Sequence, residues 1–193
     1  MKIFFYGGTF DPPHKGHKMI IKKMLPYCDK FIVFPAKKSP SKKYKPIANS
    51  KHRMNMLNLL FCNKKIEIND YEINSNNKSY TYLTILYLKK RYKECSLSMV
   101  IGKDQLKDLP NWKNYDSFIN KINIICFNRI VNNKSIILDL NQYKNIKFID
   151  DFDFDISSEE IRKKIKSKNN KILLNVVDLK IVDYIQSNNL YVW

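Results

Sequence analysis

The chain predicts a doubly wound α/β fold, a mostly parallel sheet with helices on both faces and a helical C-terminal extension. Three observations predict it. A strand, a glycine turn, a helix and a second strand follow one another within about the first 35 residues; further short apolar runs alternate with helix-period segments as far as Ile149; and beyond Ser157 the patterns are helical with no strand between them.

Lys2–Tyr6 is a short apolar and aromatic run ending at Gly7-Gly8, and Lys30–Phe34 is another ending at Pro35, so both read as buried strands. Between them Lys15–Leu25 places Met19, Ile20, Met24 and Leu25 at helical spacing, and Pro26 stops it. A strand, helix and strand in this order require a parallel, right-handed crossover. After a basic, proline-containing loop at Lys37–Ile47, a helix is predicted over Ser50–Phe61, with His52 a solvated residue on it. Ile66–Ile73 alternates and predicts a third strand, Thr81–Tyr92 a helix, Leu97–Ile101 a fourth strand ending at Gly102, Ile122–Phe127 a fifth and Ile146–Ile149 a sixth. The connection Val131–Lys144 has no clear pattern. Ser157 and Glu160 form an S-x-x-E capping box, which starts a helix running to Lys166, and Leu179–Ser187 is the last helix. The expected organisation is one domain over 1–193, a Rossmann-like core over 1–155 and a helical part over 156–193.

Composition narrows the function classes. The 193 residues carry 44% hydrophobic residues with sparse Gly and Pro, which excludes a linker or a disordered tail. No apolar run approaches the roughly 18 residues of a membrane span, so a cytoplasmic protein is expected. Cys28, Cys62, Cys95 and Cys126 are widely spaced without a C-x-x-C pair, and read as reduced, partly buried small hydrophobes. Lys plus Arg number 35 against 18 Asp plus Glu, a formal +17. The charge is spread along the chain, so it suits encounter with small anions better than a dedicated nucleic-acid face.

Gly7-Gly8-Thr9-Phe10-Asp11-Pro12-Pro13-His14-Lys15-Gly16-His17 lies directly after the first strand and runs into the first helix. Glycines let backbone approach a phosphate, and the free amides and positive dipole end of a helix favour an anion there. His14 and His17, three apart, project on one side of the first turn. Half of a metal site is the competing reading of H-x-x-H, but no Cys, His or carboxylate cluster nearby supplies the other ligands, and no protein-bound metal is expected.

This run resembles the signature of the nucleotidyltransferases with an H-x-G-H loop, and Ile156-Ser157-Ser158-Glu159-Glu160-Ile161-Arg162 is similar to their second signature. Ala48-Asn49-Ser50-Lys51-His52-Arg53, Ser79-Tyr80-Thr81, Ile101-Gly102-Lys103-Asp104, Leu109-Pro110-Asn111-Trp112 and the ending Leu190-Tyr191 narrow the resemblance to the short, bacterial type of nicotinate-mononucleotide adenylyltransferase. The resemblance covers nearly the whole chain.

It implies transfer of an adenylyl group from ATP to nicotinate mononucleotide, giving deamido-NAD and pyrophosphate. The acceptor is a phosphate already ionised at neutral pH, so alignment and positive donors on the leaving pyrophosphate matter, and a general base does not. By resemblance His14, His17 and Arg162 are catalytic. Gly8, Thr9, Phe10, Gly102, Asp104, Ile156, Ser157 and Ser158 join them in holding ATP, with Asp104 on a ribose hydroxyl. Gly7, Gly8, Lys42, Arg53, Thr81, Trp112 and Lys113 are implied for the mononucleotide, Trp112 stacking on the pyridine ring. Mg²⁺ is expected to accompany ATP without a protein cage. Homo-oligomerisation is left open, and neither a nucleic-acid nor a membrane partner is expected.

Four positions depart from the family pattern: Ser41 for His, Leu83 for Asp, Glu159 for Thr, and Lys113 where an aromatic is frequent. Glu159 is expected to point to solvent, because a carboxylate repels a triphosphate. Lys113 could pair with the pyridine carboxylate and favour the acid over the amide. From the residues alone, Trp112 fits core packing better than stacking, Arg53 fits an ion pair as well as a substrate contact, and the place of Lys37–Lys45 directly after the second strand favours an anionic-substrate loop over a nucleic-acid patch. Two rivals remain: phosphopantetheine adenylyltransferase, which shares the loop, and a basic nucleic-acid-binding module, which leaves both signatures unexplained.

Overall fold

Six parallel strands make one sheet in a computed structural model that describes residues 1–40, 44–127, 145–150, 152, 154, 157–167 and 170–192. They are β1 (Lys2–Gly8), β2 (Lys30–Pro35), β3 (Ile66–Ile68), β4 (Ser96–Gly102), β5 (Asn123–Phe127) and β6 (Ile146–Ile149), in the order β3-β2-β1-β4-β5-β6. The chain steps outward from β1 in one direction to β3, then returns to pair β4 on the other side of β1. This reversal opens a crevice beyond the carboxyl ends of β1 and β4, where open α/β sheets collect ligands.

Helices follow the strands as α1 (Lys15–Met24), α2 (Ser50–Leu60), α3 (Tyr71–Asn74), α4 (Thr81–Arg91), α5 (Lys103–Leu106), α6 (Tyr115–Phe118), α7 (Ser158–Lys166), α8 (Asn170–Val176) and α9 (Leu179–Ser187). Both sheet faces are covered, because alternate residues of β1 enter different cores. Ile3 and Phe5 pack with Ile85 and Leu88 of α4, Leu106 of α5 and Phe118 of α6, while Phe4 and Tyr6 pack with Ile20, Ile21 and Met24 of α1 and Leu57 of α2. A third cluster joins Met56 and Leu60 of α2 to Ile161 of α7, Leu173 of α8, Ile181, Val182 and Ile185 of α9, and Tyr191. The C-terminal helices therefore seat on the back of α2.

The predicted strands and long helices recur with small shifts: β1 runs on to Gly8, α1 ends at Met24, α2 at Leu60 and α4 at Arg91. The third strand is the main correction. It ends at Ile68, five residues early, because the Asn69 side chain accepts from the Tyr71 amide at 3.0 Å and turns the chain into α3. His52 is half-buried, bonded through Nδ1 to the Tyr184 hydroxyl of α9 at 3.0 Å, which corrects its reading as a solvated residue. The capping box at α7 is present, with Ser157 N–H donating to Glu160 at 2.7 Å and Glu160 N–H to the Ser157 hydroxyl at 3.2 Å. All four cysteines are free; Cys28 and Cys126 are buried, and burial pushes the Cys126 thiol up to about 12. The Val131–Lys144 connection lies outside the described residues.

Candidate active site

The loop from β1 to α1 is built around a buried aromatic ring. Phe10 takes a left-handed backbone conformation, with φ 50°, and turns its side chain inward, edge-on to Tyr6 at 5.5 Å and to His17 at 4.8 Å. Gly8 must lack a side chain here, because a Cβ would meet the Phe10 ring at 2.9 Å. Of Phe10, then, only the backbone is left for a ligand. Two steps beyond the Tyr6–Val100 pair, Gly8 and Gly102 stand level at the carboxyl edge of β1 and β4.

His14 is the N-cap of α1 and His17 its third residue; they are 2% and 8% exposed. The His14 amide donates to His17 Nδ1 at 3.2 Å, and the rings stack with centroids 3.7 Å apart at 29°. A neutral His17 whose Nδ1 accepts must carry its proton on Nε2, so the backbone itself orients that N–H as a donor. Phe154 lies parallel to the His14 ring at 5.7 Å. A Cβ on Gly16 would fall into the Phe154 ring, which gives the glycine between the histidines a steric reason.

The second signature meets the first across the fold. Ser158 Oγ donates to the Pro12 carbonyl at 3.0 Å, and Arg162 Nη1 donates to the Asp11 carbonyl at 2.6 Å, with Asp11 Oδ2 4.0 Å away. Both partners sit in the few residues leading into His14. Burial of the neighbouring Ile161 in the third cluster fixes the rotation of α7 that aims Arg162 there. Glu159 faces solvent, 67% exposed, and pairs with Lys163 at 3.1 Å.

Asp11 is the residue whose role the sequence reading missed. Its carboxylate is 3% exposed and accepts from the Ile47 amide at 2.7 Å, the Ala48 amide at 3.0 Å and the Tyr191 hydroxyl at 2.7 Å. Its place inside the glycine and histidine run was visible; its partners, 36 to 180 residues away, were not. Burial, and then the Asp11 charge, push the Tyr191 hydroxyl upward, so it stays a donor.

Arg53 helps to build the loop. It is 1% exposed, and its guanidinium donates to the carbonyls of Thr9 and Ala36 at 2.8 Å each and of Ala48 at 3.2 Å, and to the Ser50 hydroxyl at 3.3 Å. Four of its five N–H donors are thus turned toward protein. They lock the backbone of Thr9.

Thr81 opens α4 and Gly102 caps α5, whose first turn carries Asp104 on the surface. Trp112 is half-buried against the core under α4 and α6, and the Lys113 ammonium stands 4.7 Å from the Tyr80 ring centre and 6.0 Å from that of Tyr82. Lys113 is thereby held beside Thr81. Lys42 and Ile156 lie outside the described residues. Among the described residues no three of His, Cys, Asp and Glu converge as a metal site.

The chain is similar to known proteins. A family model described as cytidylyltransferase-like matches residues 5–164. The chain is 36% identical to the probable nicotinate-nucleotide adenylyltransferase of Fusobacterium nucleatum subsp. nucleatum, over 95% of this chain and 100% of that one. It is 32% identical to the nicotinate-nucleotide adenylyltransferase of Bacillus subtilis, over 98% of each. A solved structure of Plasmodium falciparum nicotinic acid mononucleotide adenylyltransferase complexed with NaAD has the same fold, with a TM-score of 0.79 at 22% identity, over 98% of this chain and 97% of that one.

Proposed function

The chain belongs to the nicotinate-nucleotide adenylyltransferase family of cytidylyltransferase-like enzymes, and on that premise we propose that it joins ATP to nicotinate mononucleotide. A phosphate oxygen of the mononucleotide bonds to the α-phosphorus of ATP as the bond from that phosphorus to its bridging oxygen breaks. The bonding pair leaves with pyrophosphate, and deamido-NAD remains. One observation carries this reading: Ser158 and Arg162, at the start of a capped helix, hydrogen-bond the backbone that leads into two stacked histidines at the start of another helix.

Two helix N-termini, two imidazoles and a guanidinium thus converge where negative charge grows on the leaving group. His14, His17 and Arg162 are the proposed catalytic groups. The backbone of Gly8, Thr9, Phe10 and Gly102 with Asp104, Ile156, Ser157 and Ser158 holds ATP. Gly7, Gly8, Lys42, Thr81, Trp112 and Lys113 face the mononucleotide, and Arg53 acts on it through the loop it braces. Mg²⁺ carried in by ATP would supply positive charge against the phosphates. One domain over 1–193 working in the cytoplasm is the proposed setting; no helix among the described residues is long and apolar enough to cross a membrane.

A pyrophosphate-release assay with ATP tests the reading. Nicotinate mononucleotide is expected to be turned over and pantetheine phosphate is not; turnover of pantetheine phosphate alone overturns the assignment. Lys113→Ala tests the choice of acid over amide. Loss of an exposed charge pair of about 1 kcal/mol should cut the preference for nicotinate over nicotinamide mononucleotide about fivefold, and an unchanged preference removes Lys113 from substrate discrimination.

A further inference from the structure

Glu72, on α3, is 6% exposed, and its position in the fold is hard to explain by packing alone. The Thr84 hydroxyl donates to its Oε1 at 2.7 Å, and the Ser79 side chain also faces the carboxyl, favouring its charged form. The Ser79 hydroxyl in turn accepts from the Lys37 amide at 2.9 Å, and the Ser79 amide donates to the Lys38 carbonyl at 3.2 Å. Lys37 Nζ reaches back to the Ser75 carbonyl at 2.8 Å. A Cβ on Gly7 would stand 3.9 Å from Glu72 Oε1, so the carboxyl lies against the exposed end of β1.

One buried carboxyl therefore stands between two segments that border the acceptor half of the crevice, the end of β1 and the start of α4 with Thr81, and is linked through Ser79 to a third, the basic segment after β2. We infer that Glu72 is a positioning residue for the acceptor nucleotide, a keystone that sets the distance between the segment after β2 and the start of α4. The inference rests on the proposed reading of the site. Burial of the group raises its pKa against the contacts with Thr84 and Ser79, and Gln nearly matches Glu in shape while offering one acceptor oxygen and a donor nitrogen. Gln at this position can still accept from Thr84 and donate to Ser79, whereas Ala leaves both hydroxyls without that partner.

The two walls flank the mononucleotide and not the triphosphate, which is gripped from α1 and α7, so the two substrates should respond differently. In steady-state assays Glu72→Ala is expected to raise KM for nicotinate mononucleotide about tenfold or more, the scale of a lost buried hydrogen bond, and to leave KM for ATP within about twofold. Glu72→Gln should restore the acceptor KM. A role confined to stability would lower Tm without separating the two constants. An unchanged acceptor KM, or an equal rise in both constants, overturns the inference. Should the alanine chain fail to fold, Ser79→Ala carries the same test, since it cuts the link between Glu72 and Lys37 while leaving the carboxyl and Thr84 in place. Wild-type turnover of nicotinate mononucleotide is measured in the same series. Its absence removes the reading of the site and the inference with it, whereas turnover with an unmoved acceptor KM in the variants removes the inference alone.

Discussion

His17→Ala lowers kcat about 10³-fold, the scale expected when a preorganised donor to developing charge is removed. The reason lies in how the ring is held. Its Nδ1 accepts from the His14 amide, so its Nε2 carries the donor, and the stacked His14 ring and the edge of Phe10 leave it little freedom. The substitution also leaves a small void beneath Phe10, so a loss of folded structure must be excluded by thermal unfolding. His17→Asn separates the two effects, because the amide oxygen can replace Nδ1 as acceptor while nothing reaches the position of Nε2. It should fold as wild type and lose nearly as much rate; wild-type turnover by a folded variant removes His17 from the mechanism.

Asp11→Ala is expected to cost about 3–5 kcal/mol of stability, the range for breaking a buried charged network by deleting one partner. Two amides and the Tyr191 hydroxyl lose their acceptor, and Arg53 and Arg162 lose the one buried carboxylate described near them. For a domain of this size that corresponds to a fall in Tm of about 6–20 °C. Asp11→Asn, which keeps one acceptor oxygen, should lose about half as much. Differential scanning calorimetry on the two variants checks the order, and a Tm within about 2 °C of wild type for the alanine variant contradicts the hub.

The sheet and its long helices were legible because their signals are local: an apolar run ending at Gly7-Gly8, Met and Ile at helical spacing before Pro26, a serine and a glutamate three apart at Ser157. Where the sequence reading overshot, at Ile66–Ile73, the alternation was genuine, and a single side chain, that of Asn69, ended the strand by capping a turn. The four-residue helices α3, α5 and α6 are too short to establish a period, and α8 follows a lysine- and asparagine-rich stretch with little apolar contrast. The histidines and Arg162 could be picked from motifs. The work of Asp11, Arg53 and Glu72 could not, since each is defined by hydrogen bonds to partners that only the tertiary fold brings near.

The span of those bonds orders events in time. Asp11 meets Tyr191 180 residues later, and Pro12 meets Ser158 146 residues later. During synthesis on a ribosome the histidine loop emerges well before the residues that clamp it. Pairings of such long separation form late, after the strands and α2 have built the surface on which the C-terminal helices seat. A nascent chain therefore displays its histidine loop well before Ser158, Arg162 and Tyr191 are available to close on it.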